Sequence, residues 1–173
     1  GIYSAPGKAV KEAYDSAGVV ANDRGITVWL MGNRVSRNQI MAIKEESVTD
    51  QKNSLTVCLD NILRHAGITR NTEYDLAQGK TAIQILEENM TGVQVLDLSG
   101  CSLDAVLYYV NQDIPVLAIL EDGEAVLVTG FNEFNVVIME PSTGKLYKKG
   151  MNDATTWFAE NGNHFISYMK IEN

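Results

Sequence analysis

Asp50–Gly67, DQKNSLTVCLDNILRHAG, is the stretch whose reading decides the fold. A polar loop, Asp50 to Asn53, runs into a segment where Leu55, Cys58, Leu59, Ile62, Leu63 and Ala66 recur at three- and four-residue spacing. That spacing lays them along one face of a helix. Ser54 is placed to cap the start, and Gly67 to end it, since glycine enters the left-handed backbone of a helix terminus without a Cβ penalty. The free N–H groups and dipole at the start of such a helix favour negative charge. A loop bringing Gln51, Asn53 and Ser54 to that end is therefore a candidate for chemistry.

Outward from this helix, the bulk composition narrows the class. At 173 residues the chain can bury a real core as one domain, or as one domain with a small N-terminal extension. A formal charge of −8 argues against nucleic acid or an anionic membrane surface as the main partner. No apolar run approaches the roughly 18–20 residues of a membrane span; Pro115–Leu120 and Val136–Met139 have the length of buried strands. The cysteines, Cys58 and Cys101, have neither metal-ligand spacing nor a disulfide framework and read as buried free thiols. The sequence opens Gly1-Ile2-Tyr3, and a signal peptide or anchor upstream of it would be invisible here.

Taken in order, Pro6–Ser16 predicts a short helix with proline in its first turn, and Gly25–Leu30 a strand. A Gly32-Asn33 turn follows, and Val35–Lys44 is ambiguous between helix and strand. The polar run Glu45–Asn53 marks a boundary between an extension or small lobe, 1–45, and a main domain, 46–173. Beyond Gly67, helices are expected at Thr72–Gly79, Thr81–Met90 and after Ser102, with a strand at Val93–Leu98 between the last two. Strands Pro115–Glu121, Ala125–Phe131, Asn135–Glu140 and Lys145–Lys148 then follow through the Asp122-Gly123, Asn132-Glu133 and Pro141–Gly144 turns. A helix at Asp153–Glu160 and a strand at His164–Ile171 close the chain. Helices first and antiparallel strands after them make the class α+β.

This order, with the motif Pro-Val…Gly-x-x-Val-x-Val-x-Gly…Val-x-x-Asp-Pro in degenerate form, resembles the papain-like cysteine peptidases that process bacteriocin leader peptides at double-glycine sites, and their bacterial relatives. The resemblance runs from about Gln51 to Met169. It implies a papain-like fold, N-terminal helices packed on a mainly antiparallel sheet, in a bacterial protein that is secreted or attached to the cell surface. In that family a nucleophilic cysteine opens the central helix; counting back from Gly67 puts Ser54 at that position and Leu55 where a glycine belongs. The family's histidine position corresponds to Glu124, six residues before Gly130, and its Asp-Pro pair to Glu140-Pro141. Gln51 lies near the place of an oxyanion-stabilising glutamine.

Each triad position is thus changed, and the chemistry changes with it. The family's reaction needs a thiolate held by an imidazolium with a third group orienting the ring. An alcohol at Ser54 needs a true general base, and an ordinary carboxylate at Glu124 is too weak to serve. The expectation is a catalytically inactive, peptidase-like module that binds a peptide or plays a structural part. The former active-site groove, lined by Gln51, Asn53, Ser54, Glu124 and Glu140, would hold an extended peptide or protein segment and favour a basic one. No cofactor or metal is implied.

The alternative is a working hydrolase using Cys58 or Ser54 with a rebuilt partner. Cys58 and His65 are seven residues apart on one helix, about 10 Å of rise, which is too far for a hydrogen bond. A Cys58–His164 pair has no motif behind it. Ser54 reads as a plain helix cap before it reads as a nucleophile, and Glu124 and Glu140 also read as solvated strand-end acids. Asp60 and Asp104 read as helix-surface charges; Trp29, Trp157, Phe158 and Tyr168 read as core aromatics.

Overall fold

The computed structural model describes residues 5–31, 43 and 45–171. Its first elements are helix α1 (Pro6–Asp15), with Pro6 in the first turn, and a hairpin of β1 (Val19–Ala21) and β2 (Thr27–Leu30). The central helix α2 (Ser54–His65), α3 (Glu73–Ala77) and α4 (Ala82–Asn89) lead to β3 (Val93–Asp97) and α5 (Leu103–Asn111). Then come β4 (Val116–Ile119), β5 (Ala125–Phe131), β6 (Asn135–Glu140), β7 (Lys145–Gly150), α6 (Met151–Glu160) and β8 (Phe165–Lys170). The Gly32-Asn33 turn and the Val35–Lys44 segment lie outside the described residues, except for Ile43, which is buried.

Strands β3 to β8 form one antiparallel sheet in the order β3-β8-β4-β5-β6-β7. Three hairpins run β4 to β7 as neighbours, joined by the turns the sequence marks. The last strand then inserts between β4 and β3, so β3 becomes an edge of the same sheet rather than a separate piece. Every residue of β5 is buried, so both faces of the sheet are covered there and the alternation of a half-exposed strand is lost. Helix α2 packs on β5 and β4, α5 on β5, β4 and β8, and α6 on β6 and β7.

Two differences at α2 bear on the site. First, the cap is Asn53, not Ser54: Asn53 Oδ1 accepts from the Thr56 N–H at 2.8 Å and the Thr56 hydroxyl at 3.0 Å. Ser54 is the first helical residue and its hydroxyl is engaged elsewhere. Second, α2 has no wet face over most of its length, because Ser54 and Thr56–Leu63 are all buried while Ala66, expected on the apolar face, is exposed. Asp60 is accordingly no surface charge. It is 2% exposed, and Oδ1 accepts from both the N–H and the hydroxyl of Thr72 at 2.8 Å while Oδ2 pairs with Lys52 Nζ at 3.1 Å. Its burial is tolerated because every oxygen has a partner. Asp104 does lie at the surface, where it accepts from the Tyr14 hydroxyl at 2.8 Å.

The described part of residues 1–45 shares the main core. Val10, Ala13, Val28, Trp29 and Ile43 belong to one buried cluster with α2, α5 and the sheet. Trp29 Nε1 donates to the Ala105 carbonyl and the Tyr109 hydroxyl to the Val28 carbonyl, both at 2.8 Å. The polar tip of each ring thus has a partner while its body is buried. Loop residues 45–53 are fastened as well: Asn61 Nδ2 donates to Glu46 at 2.8 Å, and the Val48 N–H to the Pro141 carbonyl at 3.1 Å. Ser47 lies against Gly144 (φ +71), where an added Cβ would collide with its hydroxyl oxygen.

Candidate active site

The site is built where α2 begins and β5 begins. Ser54 Oγ accepts from the Ala125 N–H at 2.8 Å across 71 residues of sequence, and Ser54 is only 2% exposed. The Asp122-Gly123 turn places Glu124 directly before Ala125; Gly123 takes φ +85 and the Glu124 N–H is held by Asp122 Oδ1 at 2.9 Å. Glu124 itself is exposed. Glu140 closes β6, one residue beyond the Leu127–Met139 pair, at the same end of the sheet as Glu124. It faces Lys145 across the strand pair, and its carboxylate accepts from the Thr143 hydroxyl at 3.3 Å. Gln51 is exposed in the loop before α2, its N–H held by the Thr49 hydroxyl.

Cys58 lies one turn further along α2 and is fully buried. Burial pushes its thiol well above the ordinary value, and the carboxylates of Glu46 and Glu124 push the same way. The proton stays on sulfur at neutral pH, and a protonated, water-free thiol is no nucleophile. Cys101 is also buried, its thiol pushed up to about 11 chiefly by desolvation.

Both histidines are elsewhere. His65, near the other end of α2, donates from Nε2 to the Asp113 carbonyl at 2.7 Å. His164 precedes β8; its carbonyl accepts from the Ile119 N–H, and Ile119 pairs with Ala125. Two strand spacings, roughly 10 Å, therefore separate the His164 backbone from that of Ala125. Its ring lies 3.8 Å from Glu121, in a groove of about 370 Å³ that also includes Asp97, Ser99 and Ile166. The contacts of the two imidazoles are with Asp113 and Glu121, not with Ser54 or Cys58.

The structure of a Bacillus anthracis protein, provisionally described as a C39-like peptidase, superposes on this chain with a TM-score of 0.62. The two chains share one α+β fold. The superposition covers 82% of this chain and the whole of the other, at 16% identity, and at that identity the likeness speaks for the fold alone. No protein-family model and no curated protein matches the sequence. The α+β, papain-like architecture expected from the residue order is the one observed.

Sequence reading missed what this site is made of. The Ser54 hydroxyl bonds a backbone N–H, and a backbone group leaves no mark in a sequence. Glu46, whose charge helps to push the Cys58 thiol up and whose carboxylate takes the Asn61 amide, sits in a polar run with no periodicity to single it out.

Proposed function

We propose that this chain is a C39-like peptidase fold that has lost its chemistry and serves as a peptide-binding or structural module of a secreted or surface-attached bacterial protein. One observation carries the reading: at the position corresponding to the nucleophile, the Ser54 hydroxyl is buried and committed to the Ala125 N–H, while both imidazoles make their contacts elsewhere. A hydroxyl so placed has neither a base to take its proton nor an open path to a substrate carbonyl. Glu124 and Glu140, with Gln51 and Asn53 in the adjoining loop, give that end of the molecule an acidic character that suits an extended, basic segment. The alternative, a hydrolase built on Cys58, is opposed by the burial of that thiol.

The test compares the native chain with a variant carrying Ser54→Cys, Glu124→His and Glu140→Asp. Each is incubated with a peptide chloromethyl ketone, and the site of modification is read by mass spectrometry. The native chain is expected to remain unlabelled at Cys58 and to cleave no fluorogenic peptide, and the variant, whose new thiol takes a position only 2% exposed, is expected to stay unlabelled there as well. Saturable labelling of Cys58, or cleavage abolished by Ser54→Ala, would overturn the reading.

A further inference from the structure

We propose that a groove at the ends of β3, β8 and β4 takes a second basic side chain of the bound segment, so that the ligand carries two basic residues three positions apart. This rests on the peptide-binding reading above and gives that ligand its pattern. Asp97 closes β3 opposite Ile166 of β8, and Leu117 of β4 stands opposite the same Ile166. Paired residues project from one face of a sheet, as do residues two apart on a strand, so Asp97, Ile166 and Ile119 share a face. Glu121 and His164 lie just past the strand ends and complete a groove of about 370 Å³. Their side chains meet over Gly162 (φ +86), where an added Cβ would lie 2.9 Å from Glu121 Oε1 and 2.7 Å from His164 Nε2.

The groove has the make-up of a seat for lysine or arginine. Ile119 and Ile166 give it an apolar floor, and the carboxylates of Asp97 and Glu121 stand on either side of β8. An alkyl stem along such a floor, with its charged head at the carboxylates, is how these side chains divide their surroundings. Asp97 Oδ1 accepts from the Ser99 N–H at 3.0 Å and the Ser99 hydroxyl at 2.6 Å, and no described residue bonds its Oδ2. The Glu121 N–H is held by Asn161 Oδ1 at 3.1 Å, while its carboxylate stands 3.8 Å from His164 Nε2, beyond hydrogen-bond distance. Among the described residues that line the groove there is no lysine or arginine. Spacing ties it to the Ser54 end. Glu121 and Glu124 bracket the Asp122-Gly123 turn, and the His164 backbone lies roughly 10 Å, two strand spacings, from that of Ala125. A polyproline-II segment rises about 3.1 Å per residue and repeats its side-chain direction every three residues. Residues three apart therefore span that distance, one at Glu124 and the next at Glu121 and Asp97.

The test is anisotropy of fluorescent, capped, proline-rich peptides with the full chain, with amide shifts read by NMR. The peptides carry one lysine, or two lysines set one, three or five positions apart. The three-apart peptide is expected to bind about threefold to tenfold tighter than the single-lysine peptide, the gain of one or two exposed charge contacts, and to lose that gain in high salt. It should also shift the amides of Ile119 to Glu121 and His164. Asp97→Asn, which keeps the acceptor for Ser99, combined with Glu121→Gln should abolish the gain and leave single-lysine binding unchanged. Glu124→Gln should weaken both peptides. The inference alone is overturned if the single-lysine peptide binds through Glu124 but a second lysine three positions on adds nothing. It is likewise overturned if spacing makes no difference, if the gain survives the double variant, or if a peptide with glutamates three apart binds as well. Absence of binding by every basic peptide overturns the peptide-binding reading along with it.

Discussion

The hydrogen bond from the Ala125 N–H to Ser54 Oγ joins α2 to β5, and its removal separates a latch from a nucleophile. Ser54→Ala deletes the acceptor and leaves a backbone N–H, on a residue 1% exposed, with no partner from that side chain. An unsatisfied buried donor costs about 1–3 kcal/mol, more than the net value of the bond, because its desolvation is no longer offset. Chains of roughly 150–250 residues shift in Tm by about 2–4 °C per kcal/mol, so the expected loss is about 2–12 °C. Ser54→Cys keeps the volume but offers sulfur, a weak acceptor, and should fall between the two. Urea unfolding followed by tryptophan fluorescence, with the slope unchanged, gives the difference directly. A cost within about 0.5 kcal/mol of zero, the ordinary range for surface changes, would refute the latch. So would an unchanged stability accompanied by loss of a hydrolytic activity.

Other consequences can be checked alongside. Asp60→Ala strips partners from the Thr72 N–H and hydroxyl and from Lys52, and should destabilise by about 2–4 kcal/mol in the same urea assay, with Asp60→Asn milder because one acceptor remains. Cys58 and Cys101 should resist iodoacetamide at pH 8 in the native state and react fully in denaturant; rapid native labelling of Cys58 would contradict its burial. The Arg70 guanidinium beside Asp75 holds that carboxyl below its ordinary value. Its folded value is therefore depressed relative to the unfolded one, so the contribution is in place above about pH 4 and is lost as the pH falls through the folded value. Asp75→Asn should flatten the acid limb of stability against pH, and an unchanged limb would show that the pair contributes nothing to it.

Elements were legible wherever local chemistry specifies them. Ser102 caps α5 as its position suggests, the helix expected from Thr81 is found with Thr81 as its cap, and the Asp122-Gly123 and Pro141–Gly144 turns separate strands where expected. Helix α6 departs in one respect: it begins at Met151, directly from β7, rather than at Asp153. The strand β1 was not anticipated, since three residues carry too little periodicity to be read.

The sequence by itself determined the α+β class, the central helix ending at Gly67 and the change of residue type at Ser54, Glu124 and Glu140. Spacing, turn chemistry and residue identity are local properties that a chain carries with it. Only the tertiary structure decided that Asn53 rather than Ser54 caps α2, that Asp60 is buried, that β8 inserts between β4 and β3, and that the Ser54 hydroxyl is spent on Ala125. Those outcomes depend on which distant groups meet. Each buried donor or acceptor must find a partner among all that the fold brings near, and that partner is a long way off in sequence.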